Sequence, residues 1–273
     1  MINLSWGSAT DTGRVRRRNE DAVLAQPPVF LVADGMGGHA AGEVASRLAV
    51  EAFLPLAGRG DVQTPEIDRM IVSANDSILA AAAREPSSRG MGSTVVGLVL
   101  VADSHQDYWV VFNIGDSRLY RLAQGSLAQV TVDHSYVQEL VDAGRLRPQE
   151  MRAHPDRNVV TRALGSLDAP QADFWLFTPE IGERYLLCSD GLTTEVEPGQ
   201  IAGVLSDFAD PGAAAQMLVS TAVRAGGRDN VSAVVVDVVA GALRVGEECL
   251  DDTVPPPERN PAPGHPEGDD HDA

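Results

Sequence analysis

The sequence predicts an α+β fold, because antiparallel strands and helices occupy separate stretches of the chain. Three strand-like segments between residues 2 and 33 are followed by two helices in series. Four short segments rich in β-formers then lie between 95 and 132, with only turn residues between them. That arrangement is typical of an antiparallel meander and not of a βαβ array.

The helices begin and end at local sequence signals. The first has apolar residues at helical spacing over 43–57, and Pro55 marks its end. A Thr-Pro-Glu sequence at 64–66 supplies the cap, first-turn proline and first-turn acid of the second, which extends to about Ala83. Two later helices are predicted at 198–205 and 211–225.

Strands are predicted where short apolar or β-branched runs are bounded by turn residues. They lie at 2–10, 22–25, 29–33, 95–101, 108–114, 119–122, 127–132, 174–177, 184–188 and 231–239. The segment 133–165 differs, with a short helix at 137–143, a helix start at Pro148 and a break at His154-Pro155. We expect a mobile flap there, shaped by His134 and His154.

Composition and charge limit the protein's class. The 273 residues are 44% hydrophobic, enough for a substantial core in one large domain or two small ones. The formal charge of −18 argues against a nucleic-acid-binding protein, because phosphate backbones would be repelled.

The charge is uneven along the chain. Segment 241–273 holds nine acids and two arginines, a net charge of −7, and few large apolar residues. We therefore expect a folded domain over 1–240 and an acidic, Pro-rich disordered tail over 241–273. A proline-rich partner motif is the alternative for the tail, but no PxxP sequence there is bracketed by the usual basic residue.

The two cysteines form no CxxC pair, and no apolar run is long enough to cross a bilayer. The N-terminal residues lack the charged-then-apolar pattern of a signal peptide. We therefore expect a soluble, cytoplasmic protein that binds no membrane.

The segment 29–43 carries the first candidate functional residue. Asp34 follows five apolar residues and precedes Gly35, so a carboxylate and an unshielded backbone carbonyl lie at a strand end. An Asp-Gly pair also forms plain β-turns, which is the simpler interpretation if the motif stands alone. Three more aspartates, however, follow apolar runs in the same way: Asp116, Asp190 and Asp229.

Carboxylates from separate elements are what two-metal hydrolysis requires, with one of them bridging both cations. Because all candidate ligands are oxygen atoms, Mg²⁺ or Mn²⁺ is favoured over zinc. A water between two such cations is acidified and becomes a nucleophile. A phosphate monoester suits this centre, since the cations neutralise the dianion and an arginine binds its remaining oxygens. Arg16 is the candidate, although three adjacent arginines at 16–18 also fit a solvated surface cluster.

The motifs resemble those of the metal-dependent protein phosphatases, the PPM or PP2C-type serine/threonine phosphatases, in their bacterial single-domain form. The resemblance covers about residues 4–239 and depends on nine motifs in family order. They are VRRRNED at 15–21, VADGMGGH at 32–39, GST at 92–94, NIGDSR at 113–118, DHS at 133–135, HPDRN at 154–158, TRALG at 161–165, SDGLT at 189–193 and DNVS at 229–232. It implies a central β-sandwich of two antiparallel sheets, flanked by helices on both faces.

The resemblance also implies a ligand set for two or three Mn²⁺ or Mg²⁺ ions. Asp34 would bridge two ions, and the carbonyl of Gly35 would bind the second of them. Asp190 and Asp229 would hold the first. Asp116, together with Asp190, would hold a third and weaker ion.

Other residues would act beside the metal ligands. Arg16 matches the arginine that binds phosphate. Glu20, Asp21 and Asn230 would lie behind the ligands, with Glu20 and Asp21 orienting metal-bound waters. His39 is the candidate acid that protonates the leaving alcohol, as does a histidine directly after the Asp-Gly pair in animal members. Here it lies four residues beyond that pair, so a surface histidine at the start of a helix is the alternative.

One departure from the family's pattern concerns the residue after the SDGLT motif. Family members usually have an acid there, whereas this chain has Thr194 followed by Glu195. We expect that a contact to a metal-bound water is lost, or is re-made by Glu195.

Other classes of protein fit less well. Asp34 would repel a dinucleotide's pyrophosphate, and the later strands lack the alternating helices of a Rossmann fold. A cysteine phosphatase would need an arginine six residues after Cys188, where Thr194 stands. No GxSxG sequence is present. The alternative that we retain is a non-catalytic relative of the same fold that binds phosphoproteins or regulates a partner.

The sequence therefore predicts a metal-dependent protein serine/threonine phosphatase. Hydroxide bridging two metal ions would attack phosphorus, and no phosphoenzyme would form. The expected partners are phosphorylated proteins, in particular Ser/Thr kinases and their substrates, and the protein is expected to be a monomer that binds no nucleic acid.

Overall fold

A computed structural model describes residues 2–37, 41–85, 88–102 and 106–241 of the chain. Its first half contains β1 (Ile2–Asp11), β2 (Asp21–Gln26), β3 (Val29–Met36), α1 (Ala41–Glu51), α2 (Thr64–Arg84), β4 (Gly92–Ser93), β5 (Val95–Ala102) and β6 (Asp107–Ile114). The second half contains β7 (Arg118–Ala123), β8 (Ser126–Gln129), α3 (Tyr136–Asp142), β9 (Asp173–Phe177), β10 (Arg184–Cys188), α4 (Asp190–Glu195), α5 (Pro198–Asp207), α6 (Pro211–Ala225) and β11 (Val231–Gly241). No described helix is both long and apolar enough to span a bilayer.

The strands form two antiparallel sheets, which confirms the predicted β-sandwich. One sheet has the strand order β1-β11-β10-β7-β8. The other has the order β2-β3-β5-β6-β9, with β4 paired to β3 outside this path. The meander predicted between 95 and 132 is split between the sheets, since β5 and β6 pair in one and β7 and β8 in the other.

Apolar side chains fill three layers of this sandwich. Between the sheets, the Trp109 ring contacts Phe30 and Tyr185 edge-on, at centroid distances of 6.4 and 5.7 Å. Helices α1 and α2 pack on the outer face of one sheet, and α4, α5 and α6 pack on the other. The helices therefore flank both faces, as predicted.

Strand β3 is buried on both faces, which explains why its sequence is apolar without alternation. Phe30 and Val32 point between the sheets, whereas Val29, Leu31 and Ala33 face the helices. This packing fixes the position of the polar residues that follow Ala33 at the end of the strand.

Several boundaries differ from the predicted ones. The first helix ends at Glu51 and not at residue 57, and Pro55 lies in a separate 3₁₀ turn. Strand β8 ends at Gln129, earlier than the predicted residue 132. The helix start at Pro148 is a 3₁₀ helix, Pro148–Ala153. Strand β4 and helix α4 were not predicted, because a two-residue strand and a six-residue helix give no periodic pattern. The predicted tail, beyond residue 241, lies outside the described residues.

Two glycines provide a stability test of this packing. A Cβ atom at Gly97 would lie 2.2 Å from the ring of Phe112, which is itself stacked on Phe53. Gly97→Ala should therefore lower the free energy of unfolding in urea by about 1–3 kcal/mol or more. A Cβ atom at Gly203, within α5, would have no atom within 4 Å. Gly203→Ala should therefore raise the free energy of unfolding by about 0.4–1 kcal/mol. Equal effects of the two substitutions would contradict this account of the core.

Candidate metal centre

Four aspartates from separate elements converge at one end of the sandwich. Asp34 lies near the end of β3, Asp116 in the turn after β6, Asp190 at the start of α4, and Asp229 two residues before β11. Burial, followed by the charges of Asp21, Asp190, Asp116 and Asp229, raises the pKa of Asp34 well above its ordinary value. Mutual repulsion in a desolvated cleft has this effect on carboxylates.

The pKa values of two neighbouring carboxyl groups, those of Asp116 and Asp190, are raised for similar reasons. Burial, followed by the charge of Asp190, raises the pKa of Asp116. Burial and the charge of Asp229 raise the pKa of Asp190, while a hydrogen bond with Asp34 acts in the opposite direction. The carboxyl groups of Asp34 and Asp190 are thus neighbours in the cleft.

Two residues of the GST motif hold the backbone of Asp34. The amide of Thr94 donates to the Asp34 carbonyl at 2.9 Å, and the Thr94 hydroxyl accepts from the Asp34 amide at 3.1 Å. The hydroxyl of Ser93 donates to the same carbonyl at 3.1 Å. Thr94 also bonds Ser117, beside Asp116, at 2.8 Å. It therefore links two of the four aspartates, a role that the sequence motif alone did not indicate.

Close backbone contacts explain why glycine occupies positions 35 and 42, in the turn after Asp34 and at the start of α1. A Cβ at Gly35 would lie 2.0 Å from the carbonyl oxygen of Gly42. A Cβ at Gly42 would lie 2.7 Å from the carbonyl oxygen of Gly35 and 3.0 Å from the carboxyl carbon of Glu20. The Gly35 carbonyl and the Glu20 carboxylate therefore both lie against Gly42. This contact requires glycine at both positions.

Asp21 is opposite Asp34 in the β2–β3 ladder. One of its carboxylate oxygens accepts a hydrogen bond from the Ser189 hydroxyl at 2.8 Å. The other oxygen, Oδ1, is buried and has no hydrogen-bond partner among the described residues. An unpartnered buried carboxylate oxygen beside four other acids is an unsatisfied site for a water or a cation.

Arg16 and Asn230 bind Asp229 and the loop opposite it. Arg16 Nη2 donates to Asp229 Oδ2 at 2.7 Å, and the backbone nitrogen of Asn230 donates to Asp229 Oδ1 at 2.8 Å. The Asn230 side chain accepts from the amide of Glu20 and donates to two carbonyls, those of Thr12 and Arg18. Asn230 thus fastens the loop that carries Arg16 to the strand end that carries Asp229.

The donor set fits Mn²⁺ or Mg²⁺. All nearby donors are carboxylate or carbonyl oxygens, which hard divalent cations prefer. The raised pKa values and the unpartnered Asp21 oxygen indicate that positive charge would stabilise the cleft. The described residues contain no group of three or more His, Cys, Asp or Glu side chains already arranged around one point. Asp229, in particular, is bonded to Arg16.

Glu195 does not take the place of an acid at position 194. Its carboxylate accepts hydrogen bonds from the backbone nitrogen, Nε and Nη2 of Arg228, at 3.2, 2.8 and 3.1 Å. The hydrogen bond from the Arg228 side chain lowers the pKa of Glu195. Glu195 therefore braces the loop that leads into Asp229, and does so from the end of α4.

His134 connects the flap to the turn that carries Asp116. Its Nδ1 accepts from the amide of Gly115 at 3.1 Å, so Nε2 carries the proton and faces Asp173 Oδ2 at 3.2 Å. Arg162, at the far end of the flap, donates to Asp173 Oδ1 at 3.0 Å. His154 instead accepts from the amide of Asp156 within its own turn. His39 lies outside the described residues.

The chain is similar to proteins of a known family. Residues 14–224 match the profile of the family described as protein phosphatase 2C. The chain is 39% identical over 239 residues to the serine/threonine protein phosphatase PstP of Mycobacterium tuberculosis, a match that covers 86% of this chain and 45% of PstP. It is 33% identical over 240 residues to the serine/threonine phosphatase stp of Listeria innocua, covering 84% of this chain and 93% of that protein.

A solved structure shows the same architecture. The structure described as the catalytic domain of PstP in complex with two manganese ions has a TM-score of 0.80 to this chain, with 37% identity. The similarity covers 88% of this chain and all of that domain. Because this chain spans less than half the length of PstP itself, the similarity concerns the catalytic domain of that relative.

Cation binding should be visible in stability. At a free Mn²⁺ concentration 100 times the dissociation constant, we expect the free energy of unfolding to rise by about 2.7 kcal/mol. Asp34→Asn should lose most of this gain. Without metal, the same variant should be more stable than the parent by at least about 1 kcal/mol, since it removes one buried, repelled charge. Urea denaturation with and without Mn²⁺ measures both effects.

Asp207 supplies the matched control, because it is exposed at the end of α5, away from the cleft. Asp207→Asn should retain the full Mn²⁺ gain. A parent protein whose stability is indifferent to Mn²⁺ would contradict the assignment of a metal centre.

The His134 contact is testable by amide hydrogen exchange. His134→Asn keeps an acceptor near the position of Nδ1, whereas His134→Gln keeps a polar atom near Nε2 only. We expect the Gly115 amide to remain protected from exchange in the Asn variant and to lose protection in the Gln variant. The Gln variant should also unfold about 1–3 kcal/mol more easily, because a buried amide loses its partner. Equal protection of Gly115 in both variants would exclude this role for Nδ1.

Proposed function

Because this chain belongs to the protein phosphatase 2C family, we propose that it hydrolyses phosphoserine and phosphothreonine in proteins, with Mn²⁺ or Mg²⁺ as cofactor. The observation that carries this proposal is the convergence of four aspartates from separate elements beside one arginine, Arg16, which lies 2.7 Å from Asp229. Carboxylates can bind metal ions, and the guanidinium of Arg16 can bind phosphate oxygens. Together they suit the dianion of a phosphate monoester.

The proposed metal ligands are Asp34, the Gly35 carbonyl, Asp190 and Asp229 for two ions, with Asp116 and Asp190 for a third. When bound, these ions neutralise phosphate charge and lower the pKa of water, so that attack on phosphorus needs no covalent enzyme intermediate. Support comes from the raised pKa values of Asp34, Asp116 and Asp190, which favour their binding positive charge.

Arg16 is proposed to bind the phosphate. Its guanidinium has five N–H donors, and its contact with Asp229 uses one nitrogen, Nη2. A half-exposed side chain with free donors can bind two phosphate oxygens in parallel while Asp229 holds its orientation. Arg16 thereby orients the phosphorus atom for in-line attack.

The residues behind the ligands have separable proposed roles. Asp21, with one unpartnered oxygen, and Glu20, whose carboxylate lies against Gly42, are proposed to accept hydrogen bonds from waters in the cleft. Asn230 uses its whole amide group on backbone partners, so it positions the Arg16 loop and does not face a water. His39 remains the proposed acid for the leaving alcohol.

We propose that 1–240 is the catalytic domain and 241–273 a separate acidic tail. Phosphorylated proteins are the proposed partners, among them Ser/Thr kinases and their substrates. The proposed state is a monomer in the cytoplasm. The buried, unpaired thiol of Cys188 is compatible with a reducing compartment.

Turnover of p-nitrophenyl phosphate and of a phosphothreonine peptide tests the proposed function. Both should be hydrolysed only with Mn²⁺ or Mg²⁺ present. Asp34→Asn and Asp229→Asn should each lower kcat/KM by at least about 100-fold, because metal ions contribute several kcal/mol to the transition state. Initial rates across a metal titration give these values.

Asp207→Asn is again the control and should match the parent protein. Phosphopeptide binding without metal-dependent turnover would contradict the proposal and favour the non-catalytic alternative. Accumulation of a phosphoenzyme would contradict direct attack by water.

A further inference from the structure

We propose that this protein prefers substrates with an acidic residue close to the phosphorylated one, and that Arg157 and Thr194 bind that residue. The inference rests on the proposed function and adds the chemistry of substrate selection. A cavity of about 400 Å³, which we call the flap cavity, lies between the flap and α4. Its walls include Asp116, Val137, Met151, Arg157, Asp190 and Thr194.

The flap cavity opens directly from the proposed metal centre, since Asp116 and Asp190 belong to both. Arg157 approaches it from the flap, and Thr194 approaches it from α4. An extended peptide advances about 3.5 Å per residue. A peptide whose phosphate lies at the metal centre therefore places a neighbouring side chain over the cavity.

Arg157 is the free positive charge of the flap cavity. The cavity is lined by four arginines, three of which have acidic partners. The pairs are Arg118 with Asp133, Arg152 with Glu197, and Arg228 with Glu195. Arg157 is exposed and has no ion pair within the part of the chain that the structure describes.

The negative charges of the cavity are neutralised by arginines or by the proposed metal ions. Asp133 and Glu197 are bonded to arginines, and Asp116 and Asp190 are neutralised once cations bind. At position 194 the wall carries a hydroxyl, and the next acid, Glu195, is bonded to Arg228. The metal-loaded cavity therefore has a net positive charge, contributed by Arg157.

Besides the uncharged polar residues Ser135, Asn158 and Thr193, the remaining wall has apolar side chains from the sheet, the flap and the α4–α5 junction. The apolar and aromatic residues are Tyr120, Val137, Met151, Val196 and Pro198. Apolar walls below a single cation match glutamate or aspartate, whose methylene groups pack on the walls while the carboxylate binds Arg157. The hydroxyl of Thr194, which also lines the cavity, provides a second donor.

Phosphothreonine peptides with one Glu test this selection. The Glu is moved through the positions on both sides of the phosphothreonine, and each peptide has a Gln counterpart. For at least one position we expect kcat/KM to favour Glu by about five-fold, mostly through KM, since exposed ion pairs contribute modestly. The preference should weaken at high salt.

Two variants should remove the preference. Arg157→Gln deletes the free charge, and Thr194→Asp places a carboxylate in the opposite wall, so both should bring the Glu/Gln ratio close to one. Thr194→Asn adds the same bulk without charge and should keep the ratio. Arg145→Gln is the matched flap control, because Arg145 is exposed and does not line the cavity.

Binding separates this inference from the proposed function. The same peptides with a non-hydrolysable phosphonate in place of the phosphate report Glu/Gln selection by fluorescence anisotropy, whether or not turnover occurs. Absence of metal-dependent turnover would overturn the proposed function alone. Equal binding of all Glu and Gln peptides, a preference for Gln, or a ratio that Arg157→Gln leaves unchanged would overturn the assignment of the flap cavity.

Discussion

Repulsion among buried carboxylates is the constraint on which this structure depends. Burial, and then the charges of neighbouring aspartates that include Asp229, raise the pKa values of Asp21, Asp34, Asp116 and Asp190. Two unit charges 4 Å apart repel by about 4 kcal/mol at an effective dielectric constant of 20. Native domains are stable by only about 5–15 kcal/mol. Such a cluster therefore exists in a folded protein only with protons or cations among its oxygens.

The scaffold holds these acids together by keeping their backbones from moving apart. Strand β3 is packed on both faces, so the end that carries Asp34 cannot shift without disturbing two apolar layers. Thr94 ties this end to the turn of Asp116, and Asn230 ties the strand end of Asp229 to the loop of Arg16. Repulsion is thus opposed by hydrogen bonds from uncharged side chains, which do not compete with the acids for cations.

The sequence predicted most strands and the longer helices, because those segments are periodic and bounded by proline, glycine or capping residues. It also predicted which acids converge, since Asp34, Asp190 and Asp229 each adjoin a buried strand. It did not predict the supporting contacts. Thr94 with Asp34 and Glu195 with Arg228 join residues 60 and 33 positions apart, and no local pattern encodes such pairs. The roles of the metal ligands stay predictions, as does that of His39.

The flap is joined to the sheet at its far end as well as at its start. Ser93 and Leu164 exchange two backbone hydrogen bonds, of 3.1 and 2.8 Å, and the hydroxyl of the same serine reaches the carbonyl of Asp34. A Cβ at Gly92 would lie 2.7 Å from the Leu164 carbonyl oxygen. A chimaera that imports the flap of another protein would therefore have to import residues 92–94 with it. The flap is thus exchangeable only together with residues 92–94, as a two-segment cassette.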